Sequence, residues 1–246
     1  MFIIMNVAGI YEQYREYIVL FYKVLQEKGY ELMEIQKIKN RNVLFTSSPS
    51  DFWDLNMHLI MGEKNNYIID TGLGSLWVDP IKEYIKNDPK PVVVINTHYH
   101  WDHIWGNSSL KDSIIISHKL CREMIESNWE VMMQKNKEYV CGEAEMYLPN
   151  LVFEEELYFP EDKIRIIYTP GHTIDSITVI DEEEKVINAG DNIGDNMDEI
   201  VPSLYCDPKL YNDTLLKYQK IDFDTCISGH NVVQGKEIVE RILRSL

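Results

Sequence analysis

The sequence predicts an α/β protein in which two facing sheets lie between helices, a four-layer αββα sandwich. Three observations carry that expectation. Strand-length apolar segments alternate with helical ones along most of the 246 residues. The second half repeats the logic of the first, with helices flanking each set of strands. In both halves a strand ends in an acidic turn, IIDTG at Asp70 and INAGD at Asp191, so a site is expected where the loops at the strand ends converge. A chain of this length can bury one sizeable core, and a single domain over 1–246 is expected.

The elements follow in order. From Ile10 to Lys28 the apolar positions Ile10, Tyr14, Tyr17, Ile18, Phe21 and Leu25 recur at three- and four-residue steps before Gly29. This predicts an amphipathic helix within an N-terminal helical extension of about residues 1–40. It would pack onto the sandwich, with a dimer surface as the alternative use of its tyrosines. The segments EIQKI, NVLFT, LNMHLIM and YIID, punctuated by SSPSD, GEKNN and TGLGS, read as an antiparallel meander. A helix near Pro80 to Lys86 precedes Val92 to Asn96, whose β-branched run suits a strand covered on both faces. After a strand at Ile114 to Ser117, a helical period runs from Lys119 to about Tyr139 and degrades through CGEAEMYLPN, so 119–150 reads as a helical insertion over an active site. Strands are then expected near Leu151 to Phe159, Ile164 to Tyr168, Ser176 to Ile180, Val186 to Ala189 and Thr225 to Ser228. Helices near Pro208 to Lys220 and Gly235 to Ser245 complete the pattern.

Composition narrows the partners. With 40 Asp and Glu against 24 Lys and Arg, the formal net charge of -16 repels polyanions, so no nucleic-acid partner is expected. Cys121, Cys141, Cys206 and Cys226 form no CxxC pair, which fits a reducing, cytoplasmic setting better than a disulfide framework. The opening MFIIMNVAGI lacks a basic flank, and no run approaches the ~18 apolar residues of a membrane span. A soluble protein acting on a small molecule is expected.

The densest chemistry lies in THYHWDH, Thr97 to His103. Side chains two apart in an extended segment share a face, so His98 and His100 can reach one ion, while Asp102 and His103 begin a turn aimed at a second position. A mixed imidazole and carboxylate set without thiolate implies a catalytic rather than a structural metal. His172 in TPGHTIDS, Asp191 in NAGD and His230 in ISGH each end a predicted strand, so each can point into a common rim.

These residues, HxHxDH followed by a lone His, a lone Asp and a final His, resemble the signature of the metallo-β-lactamase-fold superfamily from about Asn56 to His230. The resemblance implies two divalent metal ions, zinc foremost and iron or manganese as alternatives. It assigns His98, His100 and His172 to the first, Asp102, His103 and His230 to the second, and Asp191 between them. A bridging hydroxide would be the nucleophile, with Asp102 as catalytic residue orienting it and accepting its proton. Asp70 matches an aspartate that supports the histidines from behind, its alternative role being an Asx-type turn.

Departures from the better-known relatives bear on substrate. Asp191 stands where zinc-dependent β-lactamases place a cysteine or otherwise break the pattern, which argues against antibiotic hydrolysis. Glyoxalase II shares HxHWDH, including Trp101, but the sixteen residues after His230 leave no room for its C-terminal glutathione-binding domain. The acyl-homoserine lactonases place a tyrosine three residues after the bridging aspartate, where this chain has Gly194. Trp105 reads equally as a wall of the site or a core indole; His58, beside Asn56, and His118 read as structural. The expected activity is hydrolysis of a small ester, thioester or lactone; the alternatives are an iron-dependent persulfide dioxygenase and a phosphodiesterase or nuclease of the same fold.

Overall fold

The structure is a computed structural model that describes residues 33–50 and 53–246. The helix predicted over Ile10 to Lys28 lies outside the described residues. The first sheet contains β1 (Glu34–Lys37), β2 (Asn42–Ser50), β3 (Trp53–Met61), β4 (Asn66–Ile69), β5 (Val92–Ile95), β6 (Ile114–His118) and β7 (Leu151–Phe153), adjacent in chain order. Strands β1 to β4 form the expected antiparallel meander, and β4 to β7 are parallel. Parallel pairing demands crossovers, supplied by α1 (Ser75–Ile85), the short α2 (Trp101–Ile104) and α3 (Lys119–Asn136).

The second sheet has the order β13-β12-β11-β10-β9-β8, built from β8 (Glu156–Phe159), β9 (Ile164–Tyr168), β10 (Ile177–Asp181), β11 (Val186–Asn188), β12 (Thr225–Ile227) and β13 (Gln234–Gly235). Helix α4 (Pro208–Lys220) makes the crossover between the parallel β11 and β12, and α5 (Glu237–Ser245) follows β13.

Alternation along the strands separates three layers of core. Ile60, Tyr67, Ile69, Val93, Ile95 and Ile116 of the first sheet meet Ile164, Ile166, Ile177 and Val179 of the second in the central layer. Their neighbours Leu59, Ile68, Val94 and Ile115 face the other way, onto Trp77 and Ile81 of α1 and Cys121, Ile125 and Trp129 of α3. On the far side Ile180 and Ile187 pack against Tyr211, Leu215 and Tyr218 of α4 and Ile238 and Ile242 of α5. Each such fully buried aliphatic side chain contributes about 1.5–3 kcal/mol relative to exposure. Helix, sheet, sheet and helix thus stack in the αββα order that the sequence predicts.

Two element boundaries are corrected, Trp105 takes one of its two open readings, and His58 is structural as expected. The segment Leu151 to Phe159 is two strands, not one: β7 closes the first sheet, and after Glu154 and Glu155 the chain opens the second as β8. Helix α1 begins at Ser75 rather than Pro80, because Trp77, Val78, Ile81 and Ile85 supply its buried stripe and hold Pro80 inside it. Trp105 is a core indole with no exposed surface. His58 is buried against Asn42, its Nε2 2.9 Å from the amide oxygen, and is no part of the cavity described below.

Candidate metal centre

Topology brings four strand ends to one edge. In the second sheet β10 runs antiparallel to both β9 and β11, so β9, β11 and the parallel β12 all point the same way. His172 follows β9, Asp191 sits in a 3-10 turn (Gly190–Asn192) after β11, and His230 follows β12. At the end of β5, His98 and His100 occupy the loop, His100 in extended conformation just before α2, with Asp102 and His103 in the first turn of α2. The Ile177 amide donates to the Thr97 carbonyl at 3.0 Å and ties the two sheets together at this edge.

The ligand-type atoms converge. His98, His100, His172 and Asp191 form one group and Asp102, His103 and His230 a second, with the ligand atoms inside each group no more than 4.8 Å apart. Asp191 Oδ2 lies 3.5 Å from His98 Nε2, 3.4 Å from His103 Nε2, 3.7 Å from His172 Nε2 and 3.2 Å from His230 Nε2. Asp102 Oδ2 is 3.6 Å from His103 Nε2 and 3.4 Å from His230 Nε2. His100 turns its Nδ1 inward, 3.0 Å from His172 Nε2.

The outward ring nitrogens are held by the protein. His172 Nδ1 donates to the Ser203 carbonyl and His230 Nδ1 to the Asp54 carbonyl, each at 2.7 Å. His103 Nδ1 lies 2.8 Å from Asp70 Oδ2. Asp70 also accepts from the Thr97 amide and hydroxyl, both at 2.7 Å, and that hydroxyl in turn lies 3.1 Å from His98 Nδ1. Protons on these Nδ1 atoms leave the facing Nε2 lone pairs free, the tautomer that a metal ligand requires.

Charge and burial reinforce the arrangement. Burial, then the neighbouring His103, drives His98 well below the ordinary histidine range, and burial with His172 takes His100 to about 3. Burial also opposes a proton on His230, yet Asp191 and Asp102 push it up to about 9. The two carboxylates therefore demand positive charge at the second group. His98 Nε2, His103 Nε2 and Asp191 Oδ1 are buried without a hydrogen-bond partner, a costly state that cation coordination relieves. Nitrogen and oxygen donors without thiolate suit zinc, iron or manganese, so the residues fit the implied ions.

Close packing fixes the loop backbones. A Cβ on Gly229 would stand 2.1 Å from Asp191 Oδ1 and 2.7 Å from His103 Cε1, so the turn before His230 admits no side chain. Above the ligands opens a cavity of ≈ 430 Å³. His100, Asp102, His172, Asp191 and His230 line its floor, Tyr99, Trp101 and Tyr205 supply aromatic walls, and Asn128, Val131, Met132, Lys135 and Asn136 come from α3. Tyr205 and Lys135 carry no motif and escape sequence reasoning; Ser203 and Asp54 escape it because they act through backbone carbonyls, while Thr97 lies inside the motif without a ligand role of its own.

Comparisons with known proteins bear on the family and the fold. A family model described as the metallo-beta-lactamase superfamily matches residues 51–230. An atrochrysone carboxyl ACP thioesterase from Aspergillus chevalieri is 29% identical over 66% of this chain and 48% of its own length. A probable metallo-hydrolase from Methanocaldococcus jannaschii is 30% identical over 59% of this chain and 59% of its own. The chain thus spans about half the length of these curated relatives. Among solved structures, a metallo-beta-lactamase from Pontibacter korlensis superposes with a TM-score of 0.66 at 16% identity, covering 87% of this chain and 100% of that one, a likeness of fold.

Proposed function

The chain belongs to the metallo-β-lactamase superfamily, and from that premise we propose that it is a metal-dependent hydrolase of small thioesters. One observation carries the reading: a single carboxylate oxygen, Asp191 Oδ2, stands within 3.2–3.7 Å of four imidazole nitrogens drawn from both groups of donors. In this proposal His98, His100 and His172 would hold one divalent ion and Asp102, His103 and His230 a second, with Asp191 available to either, zinc foremost and iron or manganese as alternatives. When bound, such a pair supplies a water-derived nucleophile at neutral pH and polarises the carbonyl under attack.

The protein's own residues do the rest. The carbonyls of Ser203 and Asp54, together with Asp70, hold the imidazoles in register, so little reorganisation accompanies reaction. Asp102 orients the attacking water and takes its proton. The aromatic walls and Met132 exclude bulk water and receive an acyl group. The water oxygen forms a C–O bond to the acyl carbon, its proton passes to Asp102, the C–S bond breaks, and a thiolate with a conjugate-acid pKa of about 8.5 departs without a strong general acid. That suits a cavity in which every lining histidine is a proposed ligand. The name of the Aspergillus relative supports a thioester, while Gly194 in place of a tyrosine and Asp191 in place of a cysteine weigh against a lactone or a β-lactam as main substrate.

The test is reconstitution with Zn²⁺, Fe²⁺ or Mn²⁺, metal analysis, and a panel of acyl thioesters, lactones and phosphodiesters. Two ions per chain and fastest turnover of thioesters are expected. A fully loaded protein that leaves every thioester intact would overturn the proposal.

A further inference from the structure

The cavity is chemically uneven in a way that the proposed hydrolysis alone does not require. Asn128, Val131, Met132, Lys135 and Asn136 recur at three- and four-residue steps, so one face of α3 forms a whole wall. That wall changes character along its length, from an amide through two apolar side chains to a lysine beside a second amide. Apart from the proposed ligands, Lys135 is the one cationic side chain among the described residues that line the cavity. It is exposed, makes no ion pair within the described residues, and stands out in a chain whose net charge is -16. The other charged lining residue that is not a proposed ligand, Asp195, follows β11 on the second sheet, whereas α3 belongs to the first. A negative group in the cavity is therefore drawn to the α3 side and repelled from the side of Asp195.

From this arrangement we infer that the substrate carries a second, anionic end: a half-thioester of a dicarboxylic acid, its free carboxylate held by Lys135. The inference rests on the thioesterase reading only for which end reacts. Val131 and Met132 precede Lys135 on the same cavity-lining face of α3, and this apolar stretch matches the methylene chain that separates the two acid functions. A lysine offers a compact point charge rather than the planar fork of arginine, which favours a single carboxylate terminus on a flexible chain. A volume of ≈ 430 Å³ accommodates an acyl chain of this kind and leaves a bulky thiol carrier outside. Lys135 is thus a specificity residue: it chooses the acyl group and takes no part in breaking the bond.

Equilibrium binding of products tests this without turnover. The zinc-loaded full chain is titrated calorimetrically with dicarboxylates from succinate to suberate and with monocarboxylates of matching length from butanoate to octanoate. Both series offer one carboxylate to the metal-facing floor, so their ratio isolates the second anion. At the best-fitting length the dicarboxylate is expected to bind about fivefold more tightly, as for a surface ion pair. The advantage should disappear in Lys135→Gln, persist in Lys135→Arg, reverse in Lys135→Glu, and fade as salt is raised. No dicarboxylate binding more tightly than its monocarboxylate at any length, or an advantage that survives Lys135→Gln, overturns the inference. If the advantage is present while every thioester is left intact, the thioesterase reading falls and the anion subsite stands. If thioesters turn over with no preference between the two series, the reverse holds.

Discussion

Asp70 occupies a left-handed backbone conformation, φ 61°, which costs a non-glycine residue on the order of 1 kcal/mol or more. Its carboxylate offsets that cost with bonds to Thr97 and His103, and through Thr97 it reaches His98. Of the two alternatives in the sequence, the carboxylate follows the second: it bonds across to Thr97 and His103 rather than within its own turn. Asp70→Ala should weaken zinc binding by about 10- to 100-fold, read by competition with a chromophoric chelator. A variant that melts earlier but binds zinc unchanged would show that Asp70 serves the turn alone. At this scale the ligand-type residues were legible because HxHxDH packs four of them into six positions and glycine-bearing turns announce the rest. Lys135 was not, because on a helical period it looks like any solvent-facing lysine, and only the tertiary placement of α3 puts it over the cavity.

At the scale of elements, burial alternation made the strands legible, while boundaries without a glycine or proline were not. Glu154 and Glu155 offer no turn signal, so β7 and β8 read as one strand although they belong to different sheets. His118 shows what holds this region. Its Nδ1 accepts the Leu120 amide at 3.3 Å as the N-cap of α3, its Nε2 donates to the Glu154 carbonyl at 3.0 Å, and its ring stacks on Tyr168 at 4.2 Å. Burial lowers the His118 pKa below the ordinary 6.5, so the folded protein favours the neutral ring, whose Nδ1 accepts at the cap. The unfolded chain binds the proton more readily, so this contribution is complete above pH 6.5 and is lost as pH falls through the folded value. Urea unfolding should show His118→Ala less stable than the parent by about 1 kcal/mol at pH 8, with the gap narrowing under acid. A gap independent of pH would assign the cost to lost packing.

Across the whole molecule, the αββα order was legible because it needs only the count and alternation of elements, whereas the pairing of sheet faces depends on which side chains interlock. Every strand pairing of the first sheet falls within Glu34 to Phe153, and every pairing of the second within Glu156 to Gly235. Among the described residues, the chain passes from one sheet to the other once, at Glu154 and Glu155. That crossing also divides the proposed ligands: His98, His100, Asp102 and His103 precede it, and His172, Asp191 and His230 follow. The candidate metal centre is therefore a clasp whose two jaws would sit on separate polypeptides if the backbone were severed there. Halves expressed independently and mixed should associate in proportion to zinc, by up to about a thousandfold at a free concentration a thousand times the dissociation constant, and come apart in chelator. Equal association with and without zinc would mean that the greasy seam between the sheets alone joins them. In the proposed function, bound ions would join residues from both sides of that crossing, and a split reporter that senses available zinc is already drawn in the topology.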